Sequence, residues 1–213
     1  MIALAPMILL GIDTCGPSGS IALGSLEKSA VSLLAQTELA GKTYSAQLVP
    51  ALRALLAEQK LAPVALQAIV VVNGPGSFTG VRIGVSSAKG LAEALGIPVL
   101  AVSRLEVLAH KAGTEAAALD AGRSEFYFRE GSRELLLAAG NASLASGPVA
   151  VCEQSALRVF PGAVFVDPPT AADALTLAVP RLLARDFEDV AMLDGNYLRR
   201  SDAEIFAKTA GKG

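Results

Sequence analysis

The sequence predicts an α/β protein built from one half repeated in degenerate form, and three observations carry that expectation. The run Ala68-Ile69-Val70-Val71-Val72 has no alternating polar residue, as a parallel strand buried on both faces requires. It leads through a turn containing Gly74, Gly76 and Gly80 into a helix-period segment and then a further apolar strand, a β-turn-α-β unit. Two short apolar strands, one ending in Asp13 and the other in Asp120, each run into a bend followed by further strand-like segments.

Taken in order, MILLGID at 7–13 reads as a strand, followed by the bend at 14–20, a return strand at 21–26 and a third strand at 30–39. Short turns join these three into an antiparallel meander. Residues 45–59 form the first long helix, with Leu48, Val49, Leu52, Leu55 and Leu56 on one stripe and Pro50 near its first turn. The second helix spans 80–95 and is closed by Gly96, with Pro98 just beyond; Val99 to Val102 is the next strand. A helix at 105–111 follows. Strand, strand, strand, helix, strand, helix, strand with right-handed crossovers is the ribonuclease-H-like layout. AAALD at 116–120, EFYFRE at 125–130 and residues 134–137 repeat its opening meander. The expected whole is thus a duplicated ribonuclease-H-like, actin-like ATPase superfamily fold, with one half at 1–103 and a shorter, degenerate half at 104–213. Residues 163–167 read as a strand, 171–185 as one helix kinked at Pro180, 192–200 as extended and 207–213 as frayed, while 140–162 gives no clear pattern.

The second helix carries more than one packing seam. Val81, Val85, Ala88, Ala92 and Leu95 recur at steps of four and three and supply one buried face. Gly84 with Ala88, and Ser86 with Gly90, are two pairs of small residues four apart, the spacing at which another helix can approach closely. With 213 residues, 52% of them hydrophobic and only 18% charged, a surface covered by a partner fits the composition. The net charge of −2 argues against a chain that grips nucleic acid unaided, and Arg199-Arg200 is its adjacent basic pair near the end. Cys15 and Cys152 have no metal-type spacing and read as reduced thiols, and the apolar start has no basic region of a signal peptide. No membrane span is expected.

Ligand chemistry finds little support. The glycine turn lacks the Lys of a phosphate loop, and Thr79 stands where the third glycine of a dinucleotide fingerprint belongs. Asp13 and Asp120 are the weak cofactor-binding candidates, because each ends a strand beside a turn of small residues; capping of the bend is the simpler role for either.

LLGIDTCGPSGSIAL, NGPGSFTGVRIGVSSAKGLAEALGIPVLAVSRLEVLA, LDAGRSEFYF and the late NYLRR together resemble the TsaB (YeaZ) family. The resemblance implies the dimerisation subunit of the bacterial machinery that makes N6-threonylcarbamoyladenosine beside the tRNA anticodon. It implies no catalytic residue, metal or cofactor in this chain, ATP and metal being expected on the partner subunits, a TsaD-like transferase and a TsaE-like ATPase. It further implies a cytoplasmic protein that meets tRNA only indirectly and that pairs, with the transferase or with itself, through its two first-half helices. Carried onto this sequence, the contact residues are Leu48, Leu52 and Leu55 on the first helix. On the turn and second helix they are Gly76, Phe78, Thr79, Gly80, Arg82, Gly84, Val85, Ala88 and Leu91. Tyr44-Ser45-Ala46 stands where relatives often have His-Ser-Glu, which removes even a vestigial metal ligand.

The residues speak to two enzymatic alternatives. A metalloprotease needs paired histidines, and His110 is the one histidine of the chain. An ATP-dependent kinase or ATPase is favoured by the matching positions of Asp13 and Asp120 but opposed by the missing phosphate grip and Mg²⁺ carboxylate cluster.

Overall fold

The computed structural model describes residues 6–41 and 43–199. Its first half runs β1 (Met7–Asp13), β2 (Gly19–Glu27), β3 (Ala30–Leu39), α1 (Tyr44–Glu58), β4 (Leu66–Val72), α2 (Phe78–Leu95), β5 (Val99–Val102) and α3 (Arg104–Ala112). The second half follows as β6 (Ala116–Gly122), β7 (Glu125–Glu130), β8 (Arg133–Ala138), β9 (Val149–Val151), α4 (Gln154–Leu157), β10 (Val164–Phe165), α5 (Ala171–Leu177) and α6 (Val179–Ala184).

Two five-stranded sheets result, ordered β3-β2-β1-β4-β5 and β8-β7-β6-β9-β10. In each, three antiparallel strands are extended by two parallel ones, so the second sheet repeats the topology of the first. This is the duplicated ribonuclease-H-like fold expected from strand order. The parallel pairing sets Leu10 beside Ile69 and Ile12 beside Val71, and every residue of β4 from Ala68 to Val72 is buried, which explains its unbroken apolar run.

The first sheet is covered on both faces. Ile12 and Gly19 point to the side of α1 and α2, whereas Gly11 and Ser20 point to α5. A Cβ on Gly11 would lie 2.7 Å from the carbonyl oxygen of Ala171, and the Ala171 N–H donates to Ser20 Oγ at 2.8 Å. The second sheet turns Ala117, Leu119, Ala150 and Cys152 to α3, and Ala116, Ala118, Phe126 and Phe128 to the opposite core around Phe160. Each middle helix therefore serves the other half's sheet: α3 packs on β6, β7 and β9, and α5 on β1 to β4. The two touch each other, and Lys111 of α3 bonds Asp173 of α5 at 2.9 Å.

Several expectations need correction. The segment 171–185 is two helices, because Pro180 at the second position of α6 lacks the N–H that would continue α5. The strand expected over 163–167 shrinks to Val164–Phe165, and 192–199 holds turns and coil instead of an extended strand. The unassigned stretch supplies β9 and α4, too short for any periodicity to reveal. The fraying expected at 207–213 concerns residues outside those described.

Candidate functional site

The two glycine-rich bends that end β1 and β4 are sewn to one another. Ser77 N–H donates to the Cys15 carbonyl at 2.8 Å, Thr14 Oγ1 donates to the Gly80 carbonyl at 2.7 Å, and Cys15 Sγ donates to the Val72 carbonyl at 3.2 Å. A side chain at Gly76 or Gly80 would strike the backbone of Cys15 or Thr14. The close approach that glycine allows is thus used within the chain. The N–H of Gly80, at the start of α2, is directed to Ser77 Oγ at 3.3 Å, a weak helix cap.

Behind these bends a cleft of about 760 Å³ separates the halves, lined by Tyr44, Ser77 and Thr79 on one side and by Asp120, Tyr127 and Glu153 on the other. Asp13 lies buried at its base. One carboxylate oxygen accepts from the Cys15 N–H at 2.8 Å, and the other is 3.8 Å from Nε of Arg104, itself only 4% exposed. Burial pushes the Asp13 carboxyl up, against the opposing pull of Arg104 and of the Cys15 N–H. The Arg104 guanidinium occupies the ground beside Gly16, where an added Cβ would lie 2.5 Å from one of its terminal nitrogens. Its Nε has no hydrogen-bond partner among the described residues. Opposite, Asp120 is exposed, caps its own bend by accepting from Gly122 N–H at 2.6 Å, and donates its backbone N–H to Glu153 at 2.6 Å. Burial raises the Glu153 carboxyl, and lifts the Cys152 thiol to about 11. Asp120 therefore lines the cleft from within β6, which continues to Gly122 beyond the strand end expected there, whereas Asp13, the last residue of β1, is buried behind the lining residues Cys15, Gly16 and Arg104. The cation between Asp13 and that cleft is the chain's own arginine. Among the described residues no three His, Cys, Asp or Glu side chains converge as metal ligands.

The residues expected at a partner surface divide into three groups. Leu48, Leu52, Leu55, Gly80, Gly84, Val85 and Ala88 are buried inside the chain, Gly76 and Leu91 are half-buried, and Phe78, Thr79 and Arg82 are exposed. The small pair Gly84/Ala88 faces inward: Ala88 is fully buried, and a Cβ on Gly84 would lie 2.5 Å from Thr14 Oγ1, in the bend after β1, and 3.8 Å from Ile12 Cγ2. That corrects the reading of this pair as an outer seam. The second pair is the outward one, since Ser86 and Gly90 are exposed and nothing lies within 4 Å of a Cβ at Gly90. On α1 the exposed stripe is Ala46, Val49, Arg53 and Ala57, with Val49 49% exposed.

A family model described as TsaD: tRNA N6-adenosine threonylcarbamoyltransferase matches residues 33–163. YeaZ from Pseudomonas aeruginosa superposes with a TM-score of 0.75 at 30% identity, covering 90% of this chain and 100% of that one. The chain belongs to the TsaB (YeaZ) family. It is 44% identical over 125 residues to the Bacillus subtilis tRNA threonylcarbamoyladenosine biosynthesis protein TsaB, covering 57% of this chain and 53% of that protein. The Haemophilus influenzae protein of the same name is 36% identical over 135 residues, covering 60% and 55%. The chain thus spans about half the length of the curated TsaB relatives it matches.

Residues of this TsaB-family chain that sequence reasoning missed sit at the edges of the motifs. Arg104 is the first residue of α3, one past its N-cap Ser103, and looks like an ordinary helix-start residue until folding buries it. The segment 192–199 folds back on the glycine turn, where Asn196 N–H donates to the Asn73 carbonyl at 2.7 Å. This brings Tyr197 against Phe78, with ring centroids 5.1 Å apart. Arg199 pairs with Glu125 and the Ala121 carbonyl, while Arg200 lies outside the described residues. His110 is exposed in the last turn of α3, as expected for a surface histidine.

Proposed function

We propose that this chain is a non-catalytic partner subunit that pairs with a TsaD-like transferase in forming N6-threonylcarbamoyladenosine in tRNA next to the anticodon. The observation that carries the pairing is the outward face of α1 and α2. There Ala46, Val49 and Ala57 lie on one helix and Ser86 and Gly90 on the other, leaving room for a second helix pair. The same face serves self-pairing when no transferase is present. The curated relatives' name, tRNA threonylcarbamoyladenosine biosynthesis protein TsaB, supplies the pathway. On this reading ATP and metal belong to the partners, a TsaE-like ATPase among them. The Arg104 guanidinium, set against Asp13 and Gly16 at the base of the cleft, supports leaving this chain without a nucleotide of its own. tRNA reaches the assembly chiefly through the transferase, and the site of action is the cytoplasm; no helix among the described residues is long and apolar enough to cross a membrane.

The test is Gly90→Arg, which sets a bulky charge on the outward face without touching the core. Sedimentation with a TsaD-like subunit should show association lost, and tRNA modification by the reconstituted proteins should fall with it. Circular dichroism should stay native. Association at the wild-type level would move the partner to another face.

A further inference from the structure

Helix α2 carries its exposed charges in an order that its own stability does not explain. Arg82, Ser86, Gly90 and Glu93 follow one another at steps of four, four and three and are all exposed, so they form one outward stripe. The small pair lies in its middle and a charge stands at either end. Glu93 is in the last turn, where the helix dipole disfavours a carboxylate. Arg82 has its guanidinium over the Phe78 ring, 4.9 Å from the centroid, and neither Arg82 nor Glu93 forms a hydrogen bond or ion pair with a described residue. The neighbouring Lys89 is committed elsewhere, its Nζ bonding the carbonyls of Ala191 and Leu193, each at 3.1 Å.

The stripe is complementary to itself. Arg82 and Glu93 are eleven residues apart, about three helical turns, so they look out along the same flank. The charge pair is centred between Ser87 and Ala88 and the small pair on Ala88, about half a residue away. A two-fold axis at that point, normal to two antiparallel copies of α2, sets Ser86 of one copy opposite Gly90 of the other. The same axis sets Arg82 opposite Glu93, twice over. Parallel copies would instead bring Arg82 beside Arg82, and a partner of different sequence would need no such coincidence of centres. We infer that two copies of this chain pair antiparallel through α2, the two Arg82–Glu93 contacts fixing the register. The inference rests on the pairing face assigned above and specifies how a second copy lies on it. Exposed ion pairs add little affinity each, so the small residues supply the close approach and the charges choose among alignments.

The experiment is sedimentation velocity on the full chain at low and moderate salt. The wild-type chain should dimerise, more weakly as salt rises. Arg82→Glu and Glu93→Arg each set like charges together at both contacts and should weaken self-association at least about tenfold. Mixed in equal amounts, the two variants should associate with each other near the wild-type level, because each supplies the charge that the other lacks. The double variant should recover as well, and circular dichroism checks that all of them fold. A mixture no stronger than its components, or reversals without effect, would overturn the register; if Gly90→Arg still blocked association, the face would stand without it. A chain that stays monomeric at millimolar concentration, or reversals that weaken only the binding of a TsaD-like subunit, would overturn self-pairing and leave the face to the transferase. Association indifferent to Gly90→Arg and to the reversals alike would remove face and register together.

Discussion

Arg104 decides what the cleft can hold. It is buried against a buried Asp13, so removing either partner alone strands a charge in a poorly solvated place, at about 3–5 kcal/mol for such pairs. Arg104→Met should therefore lower the urea midpoint sharply near neutral pH. The pH dependence follows from the sign of the shift. Burial already raises the Asp13 carboxyl, and without Arg104 it rises further. A carboxyl whose folded value exceeds its unfolded value stabilises the fold below the unfolded value and loses that contribution as pH climbs through the folded one. The deficit of Arg104→Met should shrink as pH is lowered from 8 to 5, and Asp13→Asn combined with Arg104→Met should recover most of it. Urea titrations at the two pH values check this; a pH-independent deficit would mean that Arg104 acts through packing alone.

Helix α2 separates two glycines that look alike in sequence. Gly84 faces Thr14, so Gly84→Ala forces a shift in the core and should cost on the order of 1–3 kcal/mol. Gly90 faces open space in a helix interior, so Gly90→Ala should stabilise the free chain by roughly 0.5–1 kcal/mol. Thermal melts of the two single variants decide it, and equal effects would refute the assignment of faces. Period and small-residue spacing showed that α2 had more on it than one buried seam. They gave no rule for which pair faces the sheet, because both sit at the same four-residue step. The faces are fixed by the bend that follows β1, whose Thr14 is 70 positions upstream of Gly84. The strands of the first half were legible because long apolar runs and glycine bends bound them closely; β1, β3 and β5 fall at their expected limits. β9, β10 and α4 were not, being two to four residues long. Within the candidate site the carboxylate Asp13 was visible as a strand end, and Asp120 as a carboxylate beside a bend, although β6 runs two residues past it. Arg104 and Tyr197 were not visible, since their importance comes from segments that meet only on folding.

For the molecule as a whole, the exchange of middle helices ties the halves into one folding unit. Without α5 the first sheet would lose the cover of Ala171, Ala174 and Leu175, all fully buried, and Gly11 and Ser20 would face water. A fragment of residues 1–103 should therefore lack cooperative unfolding, whereas the full chain melts in a single transition; near-ultraviolet circular dichroism on both is the measurement. An autonomously folded fragment would show that β1 to β5 need no such cover. The same arrangement has a consequence in time. Ser20 receives its hydrogen bond from Ala171, 151 residues later, so on the ribosome the inner face of the first sheet waits for almost the whole remaining chain. At ordinary elongation rates of about 5–20 residues per second that wait is roughly 8–30 s. Throughout it a nascent apolar sheet is open to water, which makes this chain a natural client for chaperones that bind before synthesis ends.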